Sequence, residues 1–205
     1  MKLQVPFYKQ DSINECGPVA LQMALEFLDK PYSKEELMRL VDSDKSGVTW
    51  TLGLAKAAAE LGFKTEFYTN FLGVDITNYG LDFYKKNADN FSDAEKKMIE
   101  LKKAAISLGV KIEERSLNLE EILQKINKDC IPLLIIDWGK INGKNKFIGH
   151  FAPIVGYDAK NVFIHNSGQE NTGPYIAIEK SLFDSARKSK GTDEDIIFIY
   201  RKNLE

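Results

Sequence analysis

The hydrophobic pattern changes its period near residue 130, and this change limits the possible folds more than any other feature of the sequence. Before it, apolar residues recur at helical spacing in several segments. From Pro132 onward they form short β-rich runs separated by turn residues. Helices followed by an antiparallel sheet are typical of an α+β fold. We therefore expect a single domain over residues 1–205, with a mainly helical lobe over about 1–130 and a mainly β lobe over about 131–205.

The predicted helices have recognisable start and stop signals. Capping-box pairs and stop glycines bound several of them. The predicted helices are residues 17–29, 33–41, 51–61, 92–108, 118–126 and 179–188. A polar stretch without a clear period precedes the fourth helix, so we expect an insertion near residues 70–110.

The predicted strands alternate apolar and polar residues or are wholly apolar. They are residues 64–69, 132–137, 146–158, 161–166, 174–178 and 195–201. The acidic segment 191–195 comes just before the last strand, and we expect it to be a solvated turn rather than a cation site.

Composition excludes several classes of protein. The chain has 28 basic and 30 acidic residues, and no basic cluster is interleaved with aromatic residues, so we expect no nucleic-acid partner. No apolar run is long enough to span a bilayer and the N-terminus lacks a signal peptide, which predicts a cytoplasmic protein without a membrane partner. Two cysteines, Cys16 and Cys130, are too few for a disulfide framework in so long a chain. Neither has a second Cys or a His at ligand spacing, so we expect no metal site, and we expect no cofactor.

Cys16 lies where a cysteine can be activated. It precedes Gly17 and Pro18 at the start of an apolar helix, where backbone N–H groups favour the thiolate. A buried structural cysteine is the alternative, and this stretch alone does not separate the two interpretations.

A nucleophilic cysteine needs a base, and the chain has only two histidines. His150 lies in an apolar strand beside Gly149, whereas His165 is expected to be an ordinary half-exposed residue at a strand end. Asn166 follows His150 by one strand and one turn, so a hairpin would bring it beside the imidazole, which it could orient. Asp137 is a possible substitute.

An oxyanion formed by attack on a carbonyl needs hydrogen-bond donors close to the nucleophile. Gln10, six residues before Cys16, has a side-chain amide that could donate, and the Cys16 backbone N–H could be the second donor. Taken alone, such a glutamine would be a surface residue.

These residues together resemble the papain-like cysteine peptidases. The resemblance rests on Gln10, the segment DSINECGP with Cys16, the segment GHFAPIVGYD with His150, and VFIHNSG with Asn166. Within that group the chain looks most similar to stand-alone relatives of the bacteriocin-leader-processing, or double-glycine, peptidases. The resemblance covers the two ends of the chain well and the middle poorly. One departure is that the double-glycine family usually has Asp where this chain has Asn166, although other papain-like enzymes use Asn.

The resemblance implies a papain-like fold with Cys16 on the helical lobe facing His150 on the sheet lobe. It implies a cysteine peptidase that cleaves a peptide or other amide bond of a peptide or protein, with Cys16, His150, Asn166 and Gln10 as catalytic residues. A papain-like acyltransferase would use the same residues, and an inactive binding module would retain the fold. The substrate specificity and the oligomeric state stay open.

Overall fold

The computed structural model describes residues 1–41, 49–74, 91–168 and 170–202. Its strands form one seven-stranded sheet in the order β2-β1-β7-β3-β4-β5-β6. Neighbouring strands are antiparallel, except that β1 and β2 are parallel. The strands are β1 (Lys64–Thr69), β2 (Lys111–Glu114), β3 (Cys130–Asp137), β4 (Gly149–Tyr157), β5 (Asn161–Asn166), β6 (Gly173–Glu179) and β7 (Ile196–Tyr200).

The helices lie mainly in the first two thirds of the chain. Those within the described ranges are α1 (Cys16–Leu28), α2 (Lys34–Leu40), α3 (Thr51–Glu60), α4 (Phe91–Ser107), α5 (Leu119–Lys125), α6 (Trp138–Ile141) and α7 (Lys180–Arg187). A short 3₁₀ turn, Ile13–Glu15, leads directly into α1. Ser33 caps α2 by accepting a hydrogen bond from the Glu36 N–H, and Asn118 with Glu121 forms the predicted capping box of α5.

The α+β fold expected from the sequence is confirmed, with one addition to the sheet. β1 and β2 lie before residue 130, yet they extend the same sheet as the later strands because β1 pairs with β7. Residues 64–69 and 161–166 form strands with the predicted bounds. Of the predicted insertion near 70–110, residues 75–90 lie outside the described part of the chain, and α4 accounts for most of the rest.

The helix α1 packs across β4 and β3 in the centre of the core. Its side chains are apolar on nearly all faces, as is usual for a helix that is buried rather than at a surface. The chain start is held against the far end of β4, where the Leu3 N–H donates to the Val155 carbonyl. At Gly156 a Cβ would stand 2.4 Å from the Met1 carbonyl oxygen, so this close approach requires glycine. These contacts bring the start of α1 beside the start of β4.

Among the residues that the structure describes, no helix is long and apolar enough to cross a membrane.

Candidate active site

Cys16 is the first residue of α1 and faces the neighbouring sheet. The backbone N–H groups of Phe151, Gly17 and Cys16 itself point at its sulfur. Gly17 lies close to both Thr49 and Phe151, where an added Cβ would be 3.0 Å and 3.3 Å from their side chains. The small residue after Cys16 therefore lets the thiol approach β4 at the residue that follows His150.

Two opposing effects act on the Cys16 thiol. Burial raises its pKa, and the three backbone N–H groups lower it without fully compensating. The net effect is a pKa above the ordinary value for cysteine, so the thiol is protonated at neutral pH in this structure. A neutral thiol of this kind becomes a nucleophile only when a base takes its proton during attack.

His150 and Asn166 lie side by side, as the predicted hairpin of β4 and β5 requires. The Asn166 side chain hydrogen-bonds the His150 ring. Gly168 covers the pair, since a Cβ there would be 3.0 Å from Asn166 Oδ1 and 3.3 Å from His150 Cε1. A larger residue at 168 would therefore push into the pair of side chains.

The amide of Asn166 is fixed by its other contacts. Its Nδ2 donates to the carbonyls of Glu170, at 2.7 Å, and Asn171, at 2.9 Å. Its Oδ1 accepts from the Gly168 N–H at 2.9 Å. The amide oxygen is therefore the end that faces the imidazole, where it can accept a hydrogen bond from the ring N–H.

His150 is buried, and this sets its charge. Burial lowers its pKa and the hydrogen bond with Asn166 raises it, and the net pKa of about 4 leaves the imidazole neutral at physiological pH. Its Nε2 is buried and has no hydrogen-bond partner among the described residues. The ring also packs on Trp138, at 5.7 Å between ring centroids. A neutral ring with a free Nε2 can accept a proton.

Gln10 lies near these residues, but its amide points elsewhere. Its Nε2 donates to the Ser12 carbonyl at 2.9 Å, and its Oε1 accepts from the Ser167 hydroxyl at 3.0 Å. The Gln10 N–H also donates to the Ser167 carbonyl. These bonds tie the loop before Cys16 to the chain just after Asn166, which fixes the two parts of the site relative to each other.

Two other sequence interpretations are resolved by the structure. Asp137, considered as a substitute for Asn166, caps α6 and accepts from the N–H groups of Lys140 and Ile148. The expectation of a half-exposed His165 is wrong, because this residue is fully buried. Its Nε2 donates to the Val5 carbonyl, and its Nδ1 accepts from the Tyr175 N–H. His165 therefore joins the N-terminal segment to the sheet.

A cleft of about 540 Å³ opens beside Cys16. Its walls are mostly apolar and aromatic and come from the start of α3, the segment after β1, and the strands β3 and β4. The same cleft is lined by Asp193 and Asp195.

The expectation that segment 191–195 is a solvated turn is wrong for Asp195, whose Oδ1 is buried. The cluster of acidic residues is visible in the sequence, but a cluster of charges alone is typical of a solvated surface turn and does not indicate a buried carboxyl.

Comparison with known proteins places the chain in a family and relates its fold to peptidases. A family model described as guanylylate cyclase matches residues 5–199. A protein of Arabidopsis thaliana named guanylyl cyclase 1 is 24% identical over 218 residues, which cover 98% of this chain and 77% of that protein.

Three solved structures share the fold at low sequence identity. A C39-like peptidase from Bacillus anthracis has a TM-score of 0.59 and is 14% identical, with 99% of each chain covered. The peptidase domain of Streptococcus ComA has a TM-score of 0.53 and is 17% identical, with 96% of this chain and 98% of that domain covered. A cysteine protease of Carica candamarcensis has a TM-score of 0.53 and is 13% identical, covering 98% of this chain and 95% of that one. The fold is that of papain-like cysteine peptidases.

Proposed function

The chain belongs to the guanylylate cyclase family, and we propose that it acts as a thiol hydrolase that cleaves a peptide or other amide bond through Cys16. The observation that carries this proposal is the placement of a helix-start thiol against the backbone of Phe151, the residue that follows a neutral His150 hydrogen-bonded to Asn166. The papain-like fold supports it at the level of architecture.

The proposed reaction starts from neutral groups. Cys16 Sγ attacks the carbonyl carbon while its proton passes to His150 Nε2, so that a tetrahedral oxyanion and an imidazolium form together. The imidazolium then protonates the departing amine, the carbon–nitrogen bond breaks, and an acyl-enzyme remains on Cys16. Water attacks the thioester with His150 again as base, which releases the acid and restores the thiol.

The oxyanion needs N–H donors, and the two candidates differ in readiness. The backbone N–H of Cys16 lies beside the sulfur atom, close to where the oxyanion would form. The Gln10 amide has two hydrogens: one donates to the Ser12 carbonyl at 2.9 Å, and the other, with only a long contact of 3.5 Å to the Ile13 carbonyl, could turn to an oxyanion. We therefore assign the backbone N–H as the first donor and Gln10 as one recruited when substrate binds.

The family name suggests a second candidate function, the cyclisation of a guanine nucleotide. The residues that line the cleft argue against it at this site. Among the described residues the lining contains Asp193 and Asp195 but no Lys or Arg. The phosphate groups of a nucleotide would meet these carboxyl groups without a cation from the lining to offset the repulsion.

Peptide-library cleavage compared between the wild type, Cys16→Ala and Cys130→Ala tests the proposal. Cys130 is the matched control, because burial raises its pKa to about 12 and it lies in β3 away from the cleft. We expect cleavage by the wild type and Cys130→Ala but not by Cys16→Ala.

The same assay separates the alternatives. An amine or thiol acceptor added to the reaction reveals an acyltransferase if the transfer product replaces the acid. Peptide binding without cleavage would identify an inactive binding module. Cyclic GMP formation that survives Cys16→Ala would contradict the hydrolase proposal.

We propose further that the substrate is a peptide or protein encountered in the cytoplasm, and that neither nucleic acid nor a membrane is a partner. The near balance of 28 basic and 30 acidic residues supports the absence of a nucleic-acid surface. Fractionation of cells that express the tagged chain would contradict the assigned compartment if the protein were recovered elsewhere.

A further inference from the structure

One carboxyl oxygen in the cleft has no partner. Asp195 Oδ1 is buried and makes no hydrogen bond within the described part of the chain. The indole Nε1 of Trp50, which lines the same cleft, is also buried and unpartnered there. A buried polar atom without a partner costs free energy, and at the wall of a cavity it is a group that a ligand could satisfy.

The Asp195 carboxyl lies between two other elements of the fold. The hydroxyls of Thr51, in α3, and Thr69, in β1, lie beside it and lower its pKa, while the Thr69 hydroxyl donates to the Phe71 carbonyl at 2.9 Å. Thr69 is also near the Asp193 carbonyl, and the Asn70 N–H donates to that same carbonyl. The turn itself is unusual, because Asp193 and Glu194 both adopt positive φ, at 48° and 53°. Such conformations are unfavourable for these residue types, so the surrounding contacts must hold the turn.

A buried cation that pairs with Glu194, the residue before Asp195, is committed to other partners as well. Arg187, at the end of α7, pairs with Asp184 and Glu194 and donates to the Leu117 carbonyl. Around Asp195 the neighbouring charge is instead Asp193, which raises the pKa of the Asp195 carboxyl. This end of the cleft therefore carries two carboxyl groups, while its walls are mostly apolar.

We propose that the cleft binds a lysine side chain of the substrate close to the cleaved bond, with the ammonium group on Asp195 Oδ1. This inference rests on the proposed hydrolase function. The apolar walls suit the four methylene groups of lysine, which bury along apolar surface while the charged end reaches a polar group. Because the Thr51 and Thr69 hydroxyls flank the carboxyl, its single unpartnered oxygen suits an ammonium better than the two-point fork of arginine.

The protonation state of Asp195 agrees with a cationic ligand. Burial and the Asp193 charge raise its pKa, the hydroxyls of Thr51 and Thr69 lower it, and the net value is about 7. A bound ammonium would favour the ionised form, since an opposite charge at contact distance stabilises the carboxylate.

The test compares matched peptides that carry lysine, arginine or norleucine at each position flanking the cleaved bond. Norleucine keeps the methylene chain and removes the charge. We expect the wild type to cleave the lysine peptide with a kcat/KM at least tenfold above that for norleucine at one position. In Asp195→Asn this preference should fall to about twofold or less. Asp158→Asn, on the exposed turn after β4, is the matched control and should keep the wild-type preference.

A second variant and a binding measurement keep the outcome independent of folding and of catalysis. Asp193→Asn should reduce the lysine preference in part, because it removes the second carboxyl group of the lining, and the thermal unfolding curve of each variant shows whether it is folded. If the wild type and every variant fail to cleave any peptide, the hydrolase proposal fails. The pocket is tested separately by calorimetry, which measures the affinity of the Cys16→Ala variant for the lysine and norleucine peptides. Equal affinity of the two peptides would overturn the pocket assignment. Binding of guanosine that depends on Asp195, with no binding of the lysine peptide, would also overturn it.

Discussion

The side chain of Asn166 has different partners at its two ends, and this explains why an amide suits this position. Nδ2 gives its two hydrogens to the Glu170 and Asn171 carbonyls, and Oδ1 accepts from the Gly168 N–H. An aspartate has no hydrogen to give, so one of its oxygens would face two carbonyl oxygens at close range. The departure from the usual Asp of the double-glycine peptidases is therefore accommodated by the segment that follows β5.

We expect Asn166→Asp to destabilise the protein by about 1–3 kcal/mol, because it leaves two carbonyls without a donor and places a charge against them. Urea denaturation at pH 7 measures the loss. Asn145→Asp is a control, since Asn145 is exposed in the loop between α6 and β4. Equal stabilities of Asn166→Asp and the wild type would show that the amide orientation is not what stabilises this segment.

The neutral state of Cys16 and His150 gives a second expectation at the scale of single residues. The pKa of the thiol is raised by burial and that of the imidazole is lowered to about 4, so no thiolate–imidazolium pair exists at rest. Alkylation of Cys16 by iodoacetamide should then accelerate about tenfold for each pH unit from 7 to 9, in proportion to the thiolate fraction.

The measurement is made in the Cys130→Ala variant, so that Cys16 is the only thiol that reacts. A rate that levels off below pH 8 would mean that the thiol ionises readily, and it would contradict the neutral resting pair. Titration of the His150 ring protons by NMR should give a pKa well below 6.5 in the same protein.

Sequence reasoning was strongest where a residue's role depends on a local pattern. Cys16 was singled out by its Gly-Pro context at a helix start, and the closeness of Asn166 to His150 follows from two adjacent strands. Asp195 could not be identified in this way. Its role depends on Thr51 and Thr69, which come from elements far away in the chain, and an acidic turn is ordinarily solvated.

At the scale of elements, the start of α1 is held by the turn before it and by α2. Glu15 accepts from the N–H groups of Asp11 and Ser12, at 2.8 Å and 3.1 Å, and from the Lys34 ammonium at 3.2 Å. Burial raises the pKa of Glu15, but these donors lower it more, so the net shift is downward. Glu15 thus fixes the turn that immediately precedes Cys16.

We expect Lys34→Met and Glu15→Gln each to lower the free energy of unfolding, with a coupling of about 1 kcal/mol between them in a double-mutant cycle. Because the folded pKa of Glu15 is lowered, its contribution is complete above the unfolded pKa and disappears as the pH falls through the folded pKa. Denaturation at pH 7 and at pH 3 measures both effects. A coupling that is the same at the two pH values would contradict this role for Glu15.

The predicted elements were most accurate where periodicity and caps coincide. α5 has its predicted capping box, and β5 has its predicted bounds. β2 was missed because KIEE, at the sheet edge, has one apolar residue in four and does not alternate. α6 was missed because a helix of four residues has no period to detect, although Asp137 caps it.

At the scale of the whole molecule, contacts between distant parts of the chain join the two predicted lobes. β7, near the end of the chain, pairs with β1 on one side and β3 on the other. Arg201, after β7, donates to the Phe27 and Leu28 carbonyls at the end of α1. Pairing between such distant segments depends on the whole fold, so the sequence could predict the strands but not this order.

Asp195 lies where α3, β1 and the turn before β7 meet, so its ionisation should affect the stability of the whole molecule. Its folded pKa is raised by burial to about 7 from an ordinary value of 3.8, which means that the folded state binds more protons between these values. Stability should therefore fall as the pH rises from about 4 to 7, by at most about 4 kcal/mol, and by less where water screens the half-buried residue.

Asp195→Asn removes this loss, so the stability of the variant relative to the wild type should increase between pH 5 and pH 8 in urea denaturation. Thr51→Val should extend the wild-type loss to higher pH and increase its total, because it removes a hydroxyl that lowers the pKa of Asp195. A difference between Asp195→Asn and the wild type that does not change with pH would show that the carboxyl is solvated.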